Sequence, residues 1–176
     1  MMKRFLFLML FLMGLVLLFF KGLFLNPKEL PLAQLDKSAP AFTLPLLDNL
    51  SRVVTEQDLK GRTTVVHVWA SWCSSCKNEL PILMRIAEDK KIHLIGVNYR
   101  DQVEPAQQWL KNYGNPYEWT IFDPNGDLGF NWGVYGTPET FIVDRFGVIR
   151  YRLSGPLTDR TYNNVLLRTI RDIEHE

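Results

Sequence analysis

Residues 64–70 (Thr-Val-Val-His-Val-Trp-Ala) form a β-branched, apolar run, and two residues separate its end from a Cys-x-x-Cys. No other junction in the chain restricts the fold so much. A run this apolar reads as a strand covered on both faces, as in a parallel sheet flanked by helices. Residues 73–89 read as a helix that opens on Cys73. Pro81 lies inside it, and its missing N–H predicts a kink. Residues 92–98 are a second buried strand. Residues 103–113 are amphipathic, with Pro105 acceptable in a first turn. A strand is expected at 119–122 and a turn at Asp123-Pro-Asn-Gly126. Residues 140–143 and 148–152 flank Asp144-Arg-Phe-Gly147 as a hairpin. Residues 157–173 close as a helix, with Thr158 placed to cap it. Shorter extended pieces are expected at 41–44 and 53–54, the second before a turn at 56–60. Strands alternating with helices and ending in a hairpin give an α/β domain with a mixed central sheet.

The first 25 residues form a unit of their own. Lys3 and Arg4 precede sixteen residues, 5–20, with no charge. A helix over 5–25 would span roughly 30 Å, about one bilayer core. Lys21 near its end can snorkel to headgroups. A cleaved signal peptide is the alternative, but it needs a shorter apolar core and a small-x-small site, and residues 21–32 offer none. The organisation expected is therefore a cytoplasmic start and transmembrane signal-anchor at 1–25, a linker at 26–36 and a domain at 37–176. Positive charge ahead of the anchor keeps the N-terminus in the cytoplasm and exports the domain, into a compartment where disulfides persist.

Lys+Arg 20 against Asp+Glu 19 leaves no basic footprint for nucleic acid. The two cysteines, Cys73 and Cys76, are the only ones. At a helix N-terminus, unpaired N–H groups and the dipole favour the thiolate, which is the nucleophile. Cys76, one turn inside, can resolve a mixed disulfide. A structural disulfide closing so short a loop would stabilise little. A metal site needs further ligands. His67 and His93 lie inside strand runs and read as core histidines, and His175 lies beyond the last helix. Lys77 follows Cys76, so there is no haem-attachment Cys-x-x-Cys-His. The pair reads as redox-active.

Several segments bring a family into view: Ala39-Pro-Ala-Phe42, residues 69–76 (Trp-Ala-Ser-Trp-Cys-Ser-Ser-Cys), Gly96-Val-Asn-Tyr-Arg-Asp101, Gly114-Asn-Pro-Tyr117 and residues 133–144 (Gly-Val-Tyr-Gly-Thr-Pro-Glu-Thr-Phe-Ile-Val-Asp). From about residue 37 onward the chain resembles the thioredoxin-like, membrane-anchored thiol:disulfide oxidoreductases of the bacterial periplasm, and among them the DsbE/CcmG family of cytochrome c maturation. The resemblance implies a thioredoxin-like fold, with Cys73 attacking and Cys76 resolving. It implies a cis-proline at Pro138 facing the pair, and Trp72, Ser74, Ser75, Glu79, Thr137 and Glu139 around it. Without it, Glu79 would read as a solvated helix charge and Glu139 as a strand-edge charge. No cofactor is implied beyond the Cys73–Cys76 disulfide itself. The implied clients are an apocytochrome c Cys-x-x-Cys-His segment or a thiol protein that carries it. The implied electron donor is a DsbD/CcdA-type membrane protein. The implied location is the inner membrane, single-pass, with the domain in the periplasm. Two departures stand out. Ser74-Ser75 replaces a dipeptide that often contains proline, and Pro156 stands where some relatives have an acid. The rival readings are a general periplasmic disulfide reductase, a peroxidase, disfavoured because both cysteines share one Cys-x-x-Cys, and a copper-binding chaperone, whose family carries a wider cysteine spacing and an essential histidine.

Overall fold

The computed structural model describes residues 2–23, 35–89 and 92–175. Two compact units result, divided near residue 32. The first is helix α1, Met2–Leu23, whose described side chains are all exposed. Its stretch Lys3–Phe20 is long and apolar enough to cross a membrane. Residues 24 and 25 of the expected anchor, and residues 26–34 of the expected linker, lie outside the described residues.

The second unit is built on a six-stranded sheet. Its strands are β1 (Lys37–Ser38), β4 (Thr64–Trp69), β5 (His93–Tyr99), β6 (Thr120–Asp123), β7 (Glu139–Val143) and β8 (Val148–Ser154). Their order is β1-β8-β7-β4-β5-β6. β4, β5 and β6 run parallel, while β7 is antiparallel to β4 and to β8. β2 (Thr43–Pro45) and β3 (Val53–Thr55) make a small separate sheet. Every residue of β4 and β5 is buried, as expected of strands covered on both faces.

Alternation along the strands sorts the core into two layers. Val65 and Trp69 of β4 and Ile142 of β7 pack with α2 (Ser74–Glu88), α3 (Val103–Tyr113) and the C-terminal helix. Val66, Val68 and Phe141 face the other way, toward Leu128 and Trp132 of α4 (Asp127–Trp132) and Phe42. Burial of roughly forty apolar side chains across these two layers dominates the fold's stability.

Helix α2 runs through Pro81 as one element, as expected; proline deletes a single ladder bond there, and Leu80, Ile82 and Leu83 stay buried around it. Two other expectations are modified. The turn at 123–126 leads into α4, whose first turn is held by Asp123: its carboxylate accepts the N–H groups of Leu128 and Gly129. The closing helix is not uniform. It runs as α5 (Asp159–Thr161), a π-turn at Tyr162–Leu166 and α6 (Leu167–Glu174), with Thr158 at the N-cap accepting from Thr161 N–H.

Candidate active site

β4 delivers the site. After Trp69 the chain makes one turn, and Cys73 becomes the N-cap of α2, its Sγ accepting the Cys76 N–H at 3.2 Å. Cys73 and Cys76 form a disulfide. Cys73 is 5% exposed and Cys76 0%. The expected attacking thiol is therefore largely covered in the oxidised state, because the short loop draws its sulfur down toward Cys76. It is still the only one of the two that solvent reaches. Ser75 Oγ lies 3.5 Å from Cys73 Sγ, while Ser74 is exposed on the first helical turn.

The turn before Cys73 is pinned from β5. Asp101 Oδ2 accepts the Ser71 N–H at 2.6 Å and the Asn98 side-chain amide at 2.9 Å, and Oδ1 accepts Ser71 Oγ at 2.8 Å. Trp72 is 58% exposed, and its indole N–H donates to Arg100 O. Arg100 has φ 47°, which aims its carbonyl and the Asp101 side chain at this turn. Asp101 lies in a segment the sequence singled out, but its work here is a contact across thirty residues that no local pattern reveals.

Two further groups come to the same end of β4. Thr137–Pro138 is a cis peptide. It leads into β7, whose first residue Glu139 pairs in register with Val68. Glu139 is buried and not a free strand-edge charge. Its Oε2 accepts from Arg152 Nε at 2.7 Å, Nη2 of the same guanidinium is also 2.7 Å away, and its Oε1 accepts the Tyr135 N–H. The guanidinium lies over the rings of Tyr135 and Phe141.

Glu79 is fully buried, one turn beyond Cys76, and so is not a solvated helix charge. Its Oε1 accepts the Leu157 N–H, and its Oε2 lies 3.3 Å from His67 Nε2. His67 Nδ1 lies 2.8 Å from the Tyr117 hydroxyl. Burial, and then the negative charge of Glu79, push that hydroxyl well above its ordinary range. His67 sits in the core as its strand position predicts. Its link to Glu79 was not foreseen, although the alternation that turns Trp69 toward α2 turns His67 the same way. Among the described residues no group of three or more His, Cys, Asp or Glu side chains could hold a metal ion.

The Redoxin family model matches residues 34–166. The thiol:disulfide interchange protein DsbE of Allochromatium vinosum is 44% identical over 145 residues, 82% of this chain and 80% of its own length. DsbE of Pseudomonas aeruginosa is 43% identical over 147 residues, covering 84% and 81%. The chain belongs to the DsbE family. Solved structures agree on the fold. DsbF from MTB, in mixed oxidized and reduced forms, superposes with TM-score 0.64 at 26% identity, covering 80% of this chain and 97% of that one. The thioredoxin domain of a thiol-disulfide oxidoreductase from Bacteroides vulgatus gives TM-score 0.62 at 25% identity, covering 77% and 97%.

As a DsbE-family protein the chain is a thiol:disulfide oxidoreductase on a thioredoxin-like fold, and its disulfide lies where exchange chemistry needs it. Helix-terminal N–H groups around Cys73 favour the thiolate. The two buried carboxylates, Glu79 and Glu139, are not equivalent. Glu139 shares its charge with Arg152, whereas the partners of Glu79 among the described residues are an N–H and an imidazole. By strand alternation they also lie on opposite faces of the sheet, Glu79 with α2 and Glu139 with the layer of Val68 and Phe141.

Proposed function

We propose that this protein is a membrane-anchored reductant of client disulfides in the periplasm. In this reading α1 holds the protein in the inner membrane by a single span and the domain faces the periplasm. The reduced Cys73 thiolate attacks a client disulfide and forms a mixed disulfide. Cys76 then attacks Cys73 Sγ and releases the client as a dithiol. Each cycle gives two electrons to the client and leaves the Cys73–Cys76 disulfide. A DsbD/CcdA-type membrane donor restores the dithiol. The client is an apocytochrome c Cys-x-x-Cys-His segment or the thiol protein that carries it, as part of cytochrome c maturation.

The supporting observation is the carboxylate of Glu79, fully buried on α2 one turn beyond a helix-terminal disulfide. A nearby negative charge opposes thiolate formation. A less stable thiolate is a less stable reduced form, so the couple is a better electron donor. In this reading Trp72, Thr137 and Pro138 are the surface beside Cys73 on which an extended client segment is held. Deletion of the gene is the test. We expect c-type cytochromes to be lost and to return when a small thiol reductant is added to the medium. Unchanged cytochrome levels in the deletion strain would overturn this reading.

A further inference from the structure

Reduction removes the covalent bond that ties Cys73 to Cys76. Cys73 must nevertheless keep its place at the start of α2 if it is to attack as a thiolate stabilised by the helix end. Inside the turn before it, the Cys73 N–H donates to Ala70 O at 3.2 Å, at the long end of the usual range. Firmer contacts come from outside the turn. Asp101 takes Ser71 with both oxygens: Oδ2 accepts the Ser71 N–H at 2.6 Å and Oδ1 accepts the Ser71 hydroxyl at 2.8 Å. The carboxylate is itself held. Oδ2 also accepts the Asn98 side-chain amide at 2.9 Å, and Oδ1 the Gln102 N–H at 2.8 Å. All four partners donate, which suits the two acceptor-only oxygens of an ionised carboxylate.

None of these bonds involves the disulfide. Asn98 is fully buried and is the β5 residue in register with Trp69. Gln102 is the N-cap of α3. Arg100, between them, lies in the left-handed region at φ 47°. Its N–H is bound to Asp123 O, and its carbonyl accepts the Trp72 indole N–H. A residue with a side chain adopts that conformation at a cost, and here the segment that carries it grips both Ser71 and Trp72. The other charged groups on this segment point elsewhere. The Arg100 guanidinium lies over the Tyr99 ring, Glu104 is exposed in the first turn of α3, and the Asp123 carboxylate is turned to α4.

We propose that Asp101 is a positioning residue for the attacking thiol. Its two-oxygen grip on Ser71 keeps the turn before α2 in place in the dithiol as in the disulfide. Cys73 therefore stays the N-cap, and its sulfur stays on the Cys76 N–H that it accepts at 3.2 Å. Asp101 acts through the turn and not through its charge, and the two modes have opposite signs. A carboxylate acting on Cys73 by charge alone opposes the thiolate. A carboxylate that holds the thiolate at a helix end favours it. This role requires exchange at Cys73, which the family establishes, and is independent of the identity of the client.

The experiment uses the reduced full chain in detergent, with oxidised glutathione as the disulfide. Wild type, Asp101→Ala and Asp101→Asn are compared by thiolate absorbance against pH and by the rate of attack from pH 6 to 9. In Asp101→Ala the grip is gone, and we expect the Cys73 pKa to rise by about one unit. Attack at pH 7 should slow about threefold, because greater intrinsic nucleophilicity offsets part of the lost thiolate, and the deficit should shrink toward pH 9. Asparagine keeps an acceptor for the Ser71 N–H and can donate to the Ser71 oxygen. With the grip kept and the charge removed, it should bring the pKa back to the wild-type value or below, and the rate with it. A Cys73 pKa that is unchanged or lowered in Asp101→Ala would overturn the proposal. So would a pKa raised as far in Asp101→Asn as in Asp101→Ala. A measurement on the wild type decides even if Asp101→Ala does not fold: the Ser71 amide should exchange slowly with solvent in both the disulfide and the dithiol form, and fast exchange in the dithiol form would overturn the proposal.

Discussion

The Glu139–Arg152 pair allows a prediction in which stability and thiol chemistry move separately. Both side chains are almost fully buried, at 4% and 7% exposure, and the guanidinium places two nitrogens 2.7 Å from Glu139 Oε2. Removing one partner of such a pair leaves an uncompensated buried charge and costs about 3–5 kcal/mol. Arg152→Met keeps the aliphatic stem against Tyr135 and Phe141. Glu139 also keeps the Tyr135 N–H, so the loss should sit near about 3 kcal/mol. Glu139→Gln leaves the guanidinium unpaired and should cost a similar amount. The double variant carries no buried charge here, so it should recover about 1–3 kcal/mol relative to the sum of the single losses. The thiol should respond in opposite directions. Arg152→Met uncovers a negative charge at the end of β4 and raises the Cys73 pKa. Glu139→Gln uncovers a positive one and lowers it. Urea unfolding gives the first set of numbers, and thiolate absorbance against pH gives the second. Single losses below about 1 kcal/mol would refute the reasoning on stability, since that is the range of an exposed pair. Thiol shifts of the same sign in both variants would refute the reasoning on charge.

Glu79→Gln should lower the Cys73 pKa and make the couple more oxidising, by at most about 30 mV for each pKa unit; equilibration in a glutathione buffer measures this, and an unchanged or more reducing couple would count against the role given to Glu79. His93 is buried, and that burial, partly offset by Glu118, lowers its pKa from 6.5 to about 4. The folded state therefore resists a proton that the unfolded chain accepts, so stability should be level above pH 6.5 and fall between pH 6.5 and 4, by roughly 3 kcal/mol at most. Screening at half-exposed Glu118 reduces the pair's part of this, and His93→Gln should flatten the slope of the urea midpoint with pH; an unchanged slope would contradict the assignment. The protein should remain with membranes after a high-salt wash and keep residues 1–25, whereas a mature N-terminus between 25 and 33 would show that the apolar helix is removed.

The parts of the molecule that depend on local pattern were legible in the sequence. The unbroken apolar run of β4, the period of α3, the turn residues of the β7–β8 hairpin and the Thr158 cap all obey short-range rules. Helix α4 was missed because its six residues are too few to show a period, and its start depends on Asp123, which reads only as a turn residue. β1 is two residues long and exists through pairing with β8, more than a hundred positions away. The cysteine pair announces itself by spacing. The groups that set its electrostatics do not. His67, Glu79 and Tyr117 come from three separate elements, and Glu139 finds Arg152 only because β7 and β8 pair. The family resemblance implies that two acidic residues play like roles, and only the fold distinguishes them, because an ion pair is a property of contact and burial.

The central claim is a division of labour between two thiols in the reduction of a client disulfide. Trapping tests it most directly, using a peptide that carries an oxidised Cys-x-x-Cys-His segment. Mixed with the reduced Cys76→Ala variant, this peptide should accumulate as a mixed disulfide through Cys73, because the resolving step is gone. The Cys73→Ala variant should capture little, since Cys76 is buried, and the wild type should release the peptide as a dithiol with one Cys73–Cys76 disulfide formed for each peptide reduced. Capture through Cys76, or no capture by either variant while the wild type leaves the peptide oxidised, would contradict the account.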